Sequence, residues 1–344
     1  MPTIESKAHT PRFLITLDRG IGDTTLVGLS AVDQIIQDDP AAYGNIDILC
    51  TPLQSQIFAY DPRINRVIQT DKNLSAGPHV TEWLRGIILD TEAAQIIHFL
   101  QSRRYEAVLP SIVAPGLYLR LHSHLMYARV FKLAKNLLLQ GLPSDIPMRK
   151  FIRQMVNRYF GKDIPASELR DEVLLYLDIQ QIRKAVMVIE QMKKGPNVVS
   201  ENARVLLVAT DSGSFVTRPP THLLAPALAD VLRKSRNLIV GILPAYTDTM
   251  AAKNLELALE PEFAGRVFML PGESTFTLLE MAALIDQADI FVTGDTGVMH
   301  LAAATKRVVQ DQATPFAPKN SVIIIAIFGG TNPDIWGEGE RTII

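Results

Sequence analysis

The feature that most constrains the fold is a short apolar strand that runs through a Gly, Asp and Thr turn into an Ala-rich helix, within Ile285–Arg307. The strand is Ile290–Val292 and the turn is Thr293–Gly297. In α/β proteins this order leaves backbone N–H groups free at the helix start, where an anion such as phosphate is favoured. Asp295 or Thr296 can cap the helix. The segment alone predicts either an anion site or an ordinary capped joint.

The same order occurs near the N-terminus. A predicted strand, Phe13–Leu17, runs into a turn with Gly20, Gly22 and Asp23, and a helix is predicted over Leu26–Gln37. The turn lacks the third glycine of the dinucleotide-binding fingerprint. A carboxylate is favoured by the dipole at a helix start, so Asp23 is either a functional group or only a helix cap.

Strands and helices alternate along most of the chain, which predicts an α/β fold with parallel sheets and crossover helices. The chain has 344 residues, enough for two domains, which we predict at residues 1–180 and 181–344. Besides the two strands already named, strands are predicted at Ile46–Cys50, Arg66–Ile68, Ala107–Leu109, Val205–Val208, Leu238–Ile242, Arg266–Leu270 and Ile323–Phe328.

Residues 120–162 are strongly basic, with nine Lys or Arg and the single acid Asp145. Apolar residues interleave with the charges, which predicts basic amphipathic helices. These helices have either a solvated face or a surface for an anionic acceptor or membrane. Arg120, Arg129 and Lys132 are the candidate acceptor-binding residues of this segment.

Composition excludes several classes of protein. The net charge of −2 gives no field that would attract nucleic acid, and the single Cys excludes a disulfide framework. No apolar run reaches the ~20 residues of a membrane-spanning helix, and the N-terminal residues lack the apolar core of a secretion signal. We therefore predict a cytoplasmic protein, with contact at an anionic membrane face left open. P-loop kinases and α/β-hydrolases are disfavoured because their motifs are missing.

The remaining polar residues fit group transfer. Ligands of parallel α/β sheets bind at the carboxyl ends of the strands. Asp23 could there accept a proton from an acceptor hydroxyl. The helix start at Thr296–His300, together with Arg218, could stabilise a departing diphosphate.

Several segments resemble glycosyltransferase family 9, the ADP-heptose:lipopolysaccharide heptosyltransferases. The matching pieces occur in the family's order and are Gly22-Asp23, Leu270-Pro271-Gly272 before Leu278–Leu284, Ala288-Asp289, Gly294-Asp295-Thr296-Gly297-Val298-Met299-His300-Leu301, and Phe328-Gly329-Gly330-Thr331-Asn332-Pro333 with Trp336-Gly337. An extra segment, roughly Val308–Ser321, interrupts the pattern, and Arg218 stands near a lysine of the family.

The resemblance implies a GT-B fold, in which two Rossmann-like domains with parallel sheets face each other across a cleft. The N-terminal domain would bind the acceptor and the C-terminal domain the nucleotide sugar. Asp23 matches the catalytic base. The residues that match the donor site are Arg218, Met269, Leu270, Asp295, Thr296, Gly297, Val298, Met299 and His300.

The resemblance further implies inverting, metal-independent transfer of a heptose from an ADP-heptose-like donor, which is a substrate, so no cofactor is expected. The expected acceptor is a phosphorylated glycolipid or oligosaccharide of the lipopolysaccharide core type. Two alternatives stay open at this point, namely a GT-B enzyme with another nucleotide sugar and a non-catalytic nucleotide-sugar-binding relative.

Overall fold

A computed structural model describes the chain in two compact units, Met1–Ser144 with Arg149–Leu169, and Asp145–Met148 with Arg170–Ile344. The division near residue 170 places residues 170–180 with the second unit, whereas the sequence-based boundary assigned them to the first. The residues that the structure describes are 13–17, 20–69, 105, 107–109, 146–198, 202–210, 219–244, 249–271, 276–309, 316–328, 333–336 and 342–343.

The first unit contains a parallel sheet with the strand order β3-β2-β1-β4. Its strands are β1 Phe13–Thr16, β2 Ile46–Cys50, β3 Ile64–Gln69 and β4 Ala107–Leu109. β1 and β2 are buried at every position, as expected for inner strands of a sheet that helices cover on both faces. All four strands occur where the apolar runs predicted them.

The helical run after β1 is longer than predicted and changes character along its length. It consists of α1 Ile21–Asp23, a π-helical turn Thr24–Leu29 and α2 Ser30–Asp38. Short 3₁₀ turns follow at Pro40–Ala42 and Gln56–Phe58, with the one-turn helix α3 at Pro52–Ser55. The helical conformation therefore starts directly after the glycine turn and includes Asp23.

Close packing explains the glycine in the π-helical turn. A Cβ atom at Gly28 would lie 2.9 Å from Leu17 Cδ1 and 3.2 Å from the Phe58 ring, so the backbone itself packs against these side chains. Thr24 and Thr25 donate their hydroxyl hydrogens to the carbonyls of Gly20 and Ile21, at 3.1 and 2.9 Å. Hydroxyl bonds back to the preceding turn are a known source of helix distortion.

The last part of the basic segment forms α4, Met148–Tyr159, which packs on the first unit. Its Arg149 and Arg153 are buried, with exposed fractions of 3% and 1%. Arg153 donates to Asp33 of α2 at 3.0 Å, since a buried guanidinium requires a charged partner. For these two residues both predicted interpretations, a solvated face and an open acceptor surface, are wrong.

The second unit contains a parallel sheet with the order β12-β11-β9-β6-β7-β8. The strands are β6 Arg204–Ala209, β7 Leu238–Leu243, β8 Val267–Met269, β9 Ile290–Gly294, β11 Ile323–Ile327 and β12 Thr342–Ile343. The predicted strands of this half are confirmed, and β12 was missed because two residues carry no readable pattern.

Apolar helix faces cover this sheet. The helices are α5 Ile179–Lys193, α6 Thr221–Lys234, α7 Met250–Phe263, α8 Leu278–Gln287, α9 Gly297–Ala303 and α10 Pro333–Trp336. Leu228 and Leu232 of α6 and Leu255 of α7 form one apolar core with Val208 and Val240. Within the described residues, no helix combines the length and the apolar character needed to cross a bilayer.

A small parallel sheet of two strands accompanies the main sheet of the second unit. It pairs β5 Leu174–Leu177, close to the unit boundary, with β10 Thr305–Val308, directly after α9. Neither strand was predicted. β10 ends at Val308, where the extra segment recognised in the sequence begins.

Candidate functional site

The order of the strands defines one switch point in the second unit. The chain passes from β6 to β7 and β8 on one side, and then places β9, β11 and β12 on the other side of β6. In open parallel sheets, ligands bind outside the carboxyl ends of the strands at such a point. The place to examine is therefore the edge where β6 and β9 end.

The turn after β9 is capped by one of the two predicted candidates, Thr296. Its hydroxyl accepts from the Met299 amide at 3.4 Å, and its carbonyl accepts from the same amide at 3.1 Å. The Met299 amide is thus used within the protein. Gly297 and Val298 are half-buried at the head of α9, where backbone N–H groups have no acceptor within the helix.

Asp295 of this turn and His300 of α9 lie close together. His300 Nε2 is 4.0 Å from Asp295 Oδ1, and the side chains are 4% and 11% exposed. At that separation a protonated imidazole would form an ion pair with the carboxylate, and a neutral one would not. These two residues, both predicted for the donor site, are therefore close to each other.

Thr210, at the carboxyl end of β6, was not among the predicted site residues. It is fully buried, and its Oγ1 has no hydrogen-bond partner among the described residues. β6 and β9 are neighbours with Val208 opposite Val292, so the register places Thr210 beside Gly294. An unpaired buried hydroxyl costs about 1–3 kcal/mol, which makes it notable at a switch point. Its position directly after an apolar strand is the signal that could have found it.

Two further predicted donor residues lie at the end of β8. Met269 is partly buried and packs against the apolar core of the unit. Leu270 is buried, and its amide donates to the Ile242 carbonyl at 2.9 Å. Its Cδ1 would be 3.0 Å from a Cβ at Gly241, so this side chain covers the glycine. The contact of both residues with the nucleotide-sugar donor, which the resemblance implies, stays a prediction.

The first unit has a matching switch point. The chain passes from β1 to β2 and β3, and β4 then pairs with the other side of β1. Asp23 is the last residue of α1, directly after the turn that follows β1, although its side chain lies outside the described residues. Gly20 occupies the N-cap position of α1, so Asp23 is not the N-cap residue of that helix.

Four predicted site residues lie outside the described residues, namely Arg218, Arg120, Arg129 and Lys132. Among the residues that are described, no group of three or more His, Cys, Asp or Glu side chains is arranged to hold a metal ion. Burial raises the pKa of the Cys50 thiol to about 12, so this thiol stays protonated and is a poor nucleophile at neutral pH.

The comparisons with known proteins agree with the motif. Residues 259–310 match the family model of glycosyltransferase family 9 (heptosyltransferase), a range that includes β8, α8, β9, α9 and β10. No curated protein sequence matches the chain significantly.

Solved structures match over nearly the whole chain. The Escherichia coli ADP-heptose lipopolysaccharide heptosyltransferase II is 15% identical, with 96% of this chain and 89% of that chain covered and a TM-score of 0.64. A glycosyltransferase family 9 protein of Veillonella parvula is 15% identical, with 97% and 86% covered and a TM-score of 0.66. The E. coli heptosyltransferase WaaC with ADP is 15% identical, with 96% and 92% covered and a TM-score of 0.59.

At identities this low, the structural matches are evidence for the fold. The family model is evidence for the segment that it matches, around the switch point of the second unit. The predicted fold class is confirmed, with a parallel α/β sheet in each of two units. The resemblance to glycosyltransferase family 9, and with it the prediction of a glycosyltransferase, is therefore confirmed.

Proposed function

We propose that the chain transfers a heptose from an ADP-heptose-like nucleotide sugar to a hydroxyl of a phosphorylated acceptor of the lipopolysaccharide core type, with inversion and without a metal ion. The observation that carries the donor half of this proposal is Thr210. Its buried hydroxyl has no partner among the described residues and lies at the switch point, beside the strand that leads to Thr296.

The donor diphosphate would lie against the carboxyl ends of β6 and β9. The Thr210 hydroxyl and the amides of Gly297 and Val298 would donate to its oxygens, with Arg218 as the added cation. Preorganised donors of this kind act where charge develops, which here is on the departing nucleoside diphosphate. The E. coli heptosyltransferase WaaC was solved with ADP, which supports a nucleoside diphosphate as part of the donor.

Asp23 would serve as the general base. It would take the proton of the acceptor hydroxyl while that oxygen attacks C1 of the sugar, and the bond from C1 to the diphosphate oxygen would break at the same time. Attack from the face opposite the leaving diphosphate inverts the configuration at C1. Asp23 lies at the switch point of the first unit, where ligands of such sheets bind.

The acceptor half of the proposal concerns the basic segment of the sequence. Arg120, Arg129 and Lys132 would bind its phosphates, and the same basic segment would contact an anionic membrane surface of the cytoplasmic face. Substitution of these three residues would weaken binding of the acceptor and leave binding of the nucleotide-sugar donor unchanged.

The test of the donor site is Thr210→Val, because valine keeps the shape of threonine and removes only the hydroxyl. Since this hydroxyl has no partner in the described protein, the free energy of unfolding should stay equal or rise by up to about 1–3 kcal/mol. The affinity for ADP, measured by titration calorimetry, should fall.

The matched control is Thr249→Val. Thr249 is exposed before α7, and its side chain makes no capping hydrogen bond. It should change neither stability nor ADP affinity. An unchanged dissociation constant for ADP in Thr210→Val would refute the donor site described above.

A further inference from the structure

Lys306 is one of the largest fully buried side chains of the described protein, with an exposed fraction of 1%. It belongs to β10, and its Nζ donates to the carbonyl of Ala302 in the last turn of α9. A cation is favoured at a helix C-terminus, where carbonyl groups lack partners within the helix. Removing a charge from water costs several kcal/mol, and the hydrogen bond to Ala302 offsets part of the cost of burying Lys306.

The backbone of Lys306 is held as firmly as its side chain. Its amide donates to Asn320 Oδ1 at 2.7 Å, and its carbonyl accepts from Asn320 Nδ2 at 3.1 Å. The amides of Asn320 and Lys319 donate in turn to the carboxylate of Asp286, at 2.9 and 2.7 Å. Because Asp286 belongs to α8, Lys306 is tied through Asn320 to a helix that is buried at every residue except Glu280.

β10 is also anchored on its other edge. The Thr305 amide donates to the Val173 carbonyl at 2.8 Å, and the Val309 amide donates to the Leu177 carbonyl at 3.3 Å. β10 is therefore fixed between β5 and Asn320, and through Lys306 it holds the end of α9.

α9 has only seven residues, so its direction depends on what holds its two ends. The first end is the turn that Thr296 caps, and the second end is the carbonyl group that Lys306 binds. A shift at the second end would rotate the amides of Gly297 and Val298 at the first.

We infer that Lys306 is a positioning residue for the donor site, which acts through α9 to hold the amides of Gly297 and Val298 against the donor diphosphate. The inference rests on the proposed function, because it assumes that a nucleotide diphosphate occupies the turn after β9. Lys306 itself touches no substrate. The pairing of β10 with β5 and the Asn320 bonds serve to keep Lys306 in place.

The experiment compares Lys306→Met and Asn320→Gly with the wild type. Methionine keeps the length of the buried side chain without its charge. Glycine readily adopts the positive φ of 51° found at Asn320, while it removes both side-chain bonds to Lys306. The exposed Lys253→Met of α7 is the matched control.

We expect both test variants to weaken ADP binding and raise the donor KM by about tenfold, since small misplacements of binding groups carry penalties of this order or more. The kcat should fall as well, because the same amides stabilise the charge on the departing diphosphate, while the acceptor KM should stay close to the wild-type value and Lys253→Met should behave as the wild type. A merely structural role would lower the melting temperature and leave the ADP affinity of the folded protein unchanged.

The outcomes separate the two proposals. If the wild type binds ADP and the folded variants bind it equally well, the inference about Lys306 is wrong and the proposed function is unaffected. Failure of the wild type to bind any nucleotide diphosphate would overturn the proposed function and the positioning role together. If Lys306→Met does not fold, Asn320→Gly decides, because its effect on Lys306 is confined to two hydrogen bonds.

Discussion

The two switch points of the molecule are built with different chemistry. In the first unit the turn after β1 is glycine-rich and leads to Asp23, and Gly20 at the N-cap offers no side chain. In the second unit the turn after β9 carries hydroxyls, with Thr296 as the cap and Thr293 Oγ1 at 3.3 Å from its oxygen. The first turn leads to a carboxylate at a helix start, whereas the second presents hydroxyls and helix amides and holds its own carboxylate, Asp295, beside His300, which fits a division between proton acceptance and anion binding.

α2 of the first unit is also held differently from α6 and α7 of the second unit. In the first unit α2 is bound through Asp33, which pairs with both Arg63 and Arg153, and the side chains of all three residues are less than 9% exposed. In the second unit α6 and α7 pack through leucines, and the charged pairs with Arg233 stay at the surface. The comparison indicates that the position of α2, and with it the helical run that contains Asp23, depends on buried charge.

The largest effect that the comparison predicts is on turnover at Asp23. Asp23→Asn should reduce kcat by about 10²–10⁴-fold, because the amide cannot accept the proton of the acceptor. The dissociation constant of ADP should not change, because the proposed diphosphate site uses only groups of the second unit. Steady-state kinetics and calorimetry measure the two quantities separately.

Asp163→Asn is the control for this substitution, since its carboxylate is 86% exposed. If Asp23→Asn instead lost ADP affinity and kept kcat, the two switch points would not divide the work as described.

The next effect concerns the buried charges of the first unit. Asp33→Asn removes the carboxylate that Arg63 and Arg153 share, while Arg63 keeps its bonds to Asp61, and breaking the buried pair with Arg153 should cost about 3–5 kcal/mol of unfolding free energy. Amide hydrogen exchange of α2 under increasing denaturant measures this loss in the first unit alone.

Glu190→Gln provides the matched surface variant. Its partner Lys193 lies 3.3 Å away, and the Glu190 side chain is 53% exposed, so its loss should cost less than about 1 kcal/mol. Equal losses in the two variants would show that burial does not distinguish the units.

The sequence predicted the parts of the fold that depend on local pattern. The inner strands of both sheets read as short apolar runs because both of their faces are buried, and α8 reads as an apolar helix for the same reason. The motif from Gly294 to His300 was readable because a strand, a turn and a capped helix follow each other without a gap.

The parts that could not be predicted depend on partners distant in the chain. β10 contains Lys306 and Arg307, and two adjacent charges are typical of a surface segment. Only the structure shows that β10 pairs with β5 and that Lys306 binds the Ala302 carbonyl. Arg153 reads as a solvated charge until Asp33, 120 residues away, is beside it. The Thr210 hydroxyl is notable because it has no hydrogen-bond partner among the described residues, and a sequence does not show which hydroxyls lack a partner.

The smallest predicted effect is a pH dependence in the second unit. Partial burial would by itself raise the pKa of Glu280, but the hydrogen bonds from Lys184 and from the Thr277 amide outweigh it and lower the pKa below the usual 4.5. A carboxyl group whose pKa is lowered by folding stabilises the protein above its unfolded value. That contribution is lost as the pH falls through the lowered pKa.

Lys184→Met should therefore destabilise the protein at neutral pH by less than about 1 kcal/mol, because the Lys184 side chain is 40% exposed and solvent screens the pair. The difference from the wild type should shrink when the pH is taken well below 4.5, where Glu280 becomes protonated in both proteins. Urea unfolding at the two pH values measures it. A difference that persisted unchanged at low pH would assign the role of Lys184 to its 4.8 Å contact with the Phe276 ring, which does not titrate.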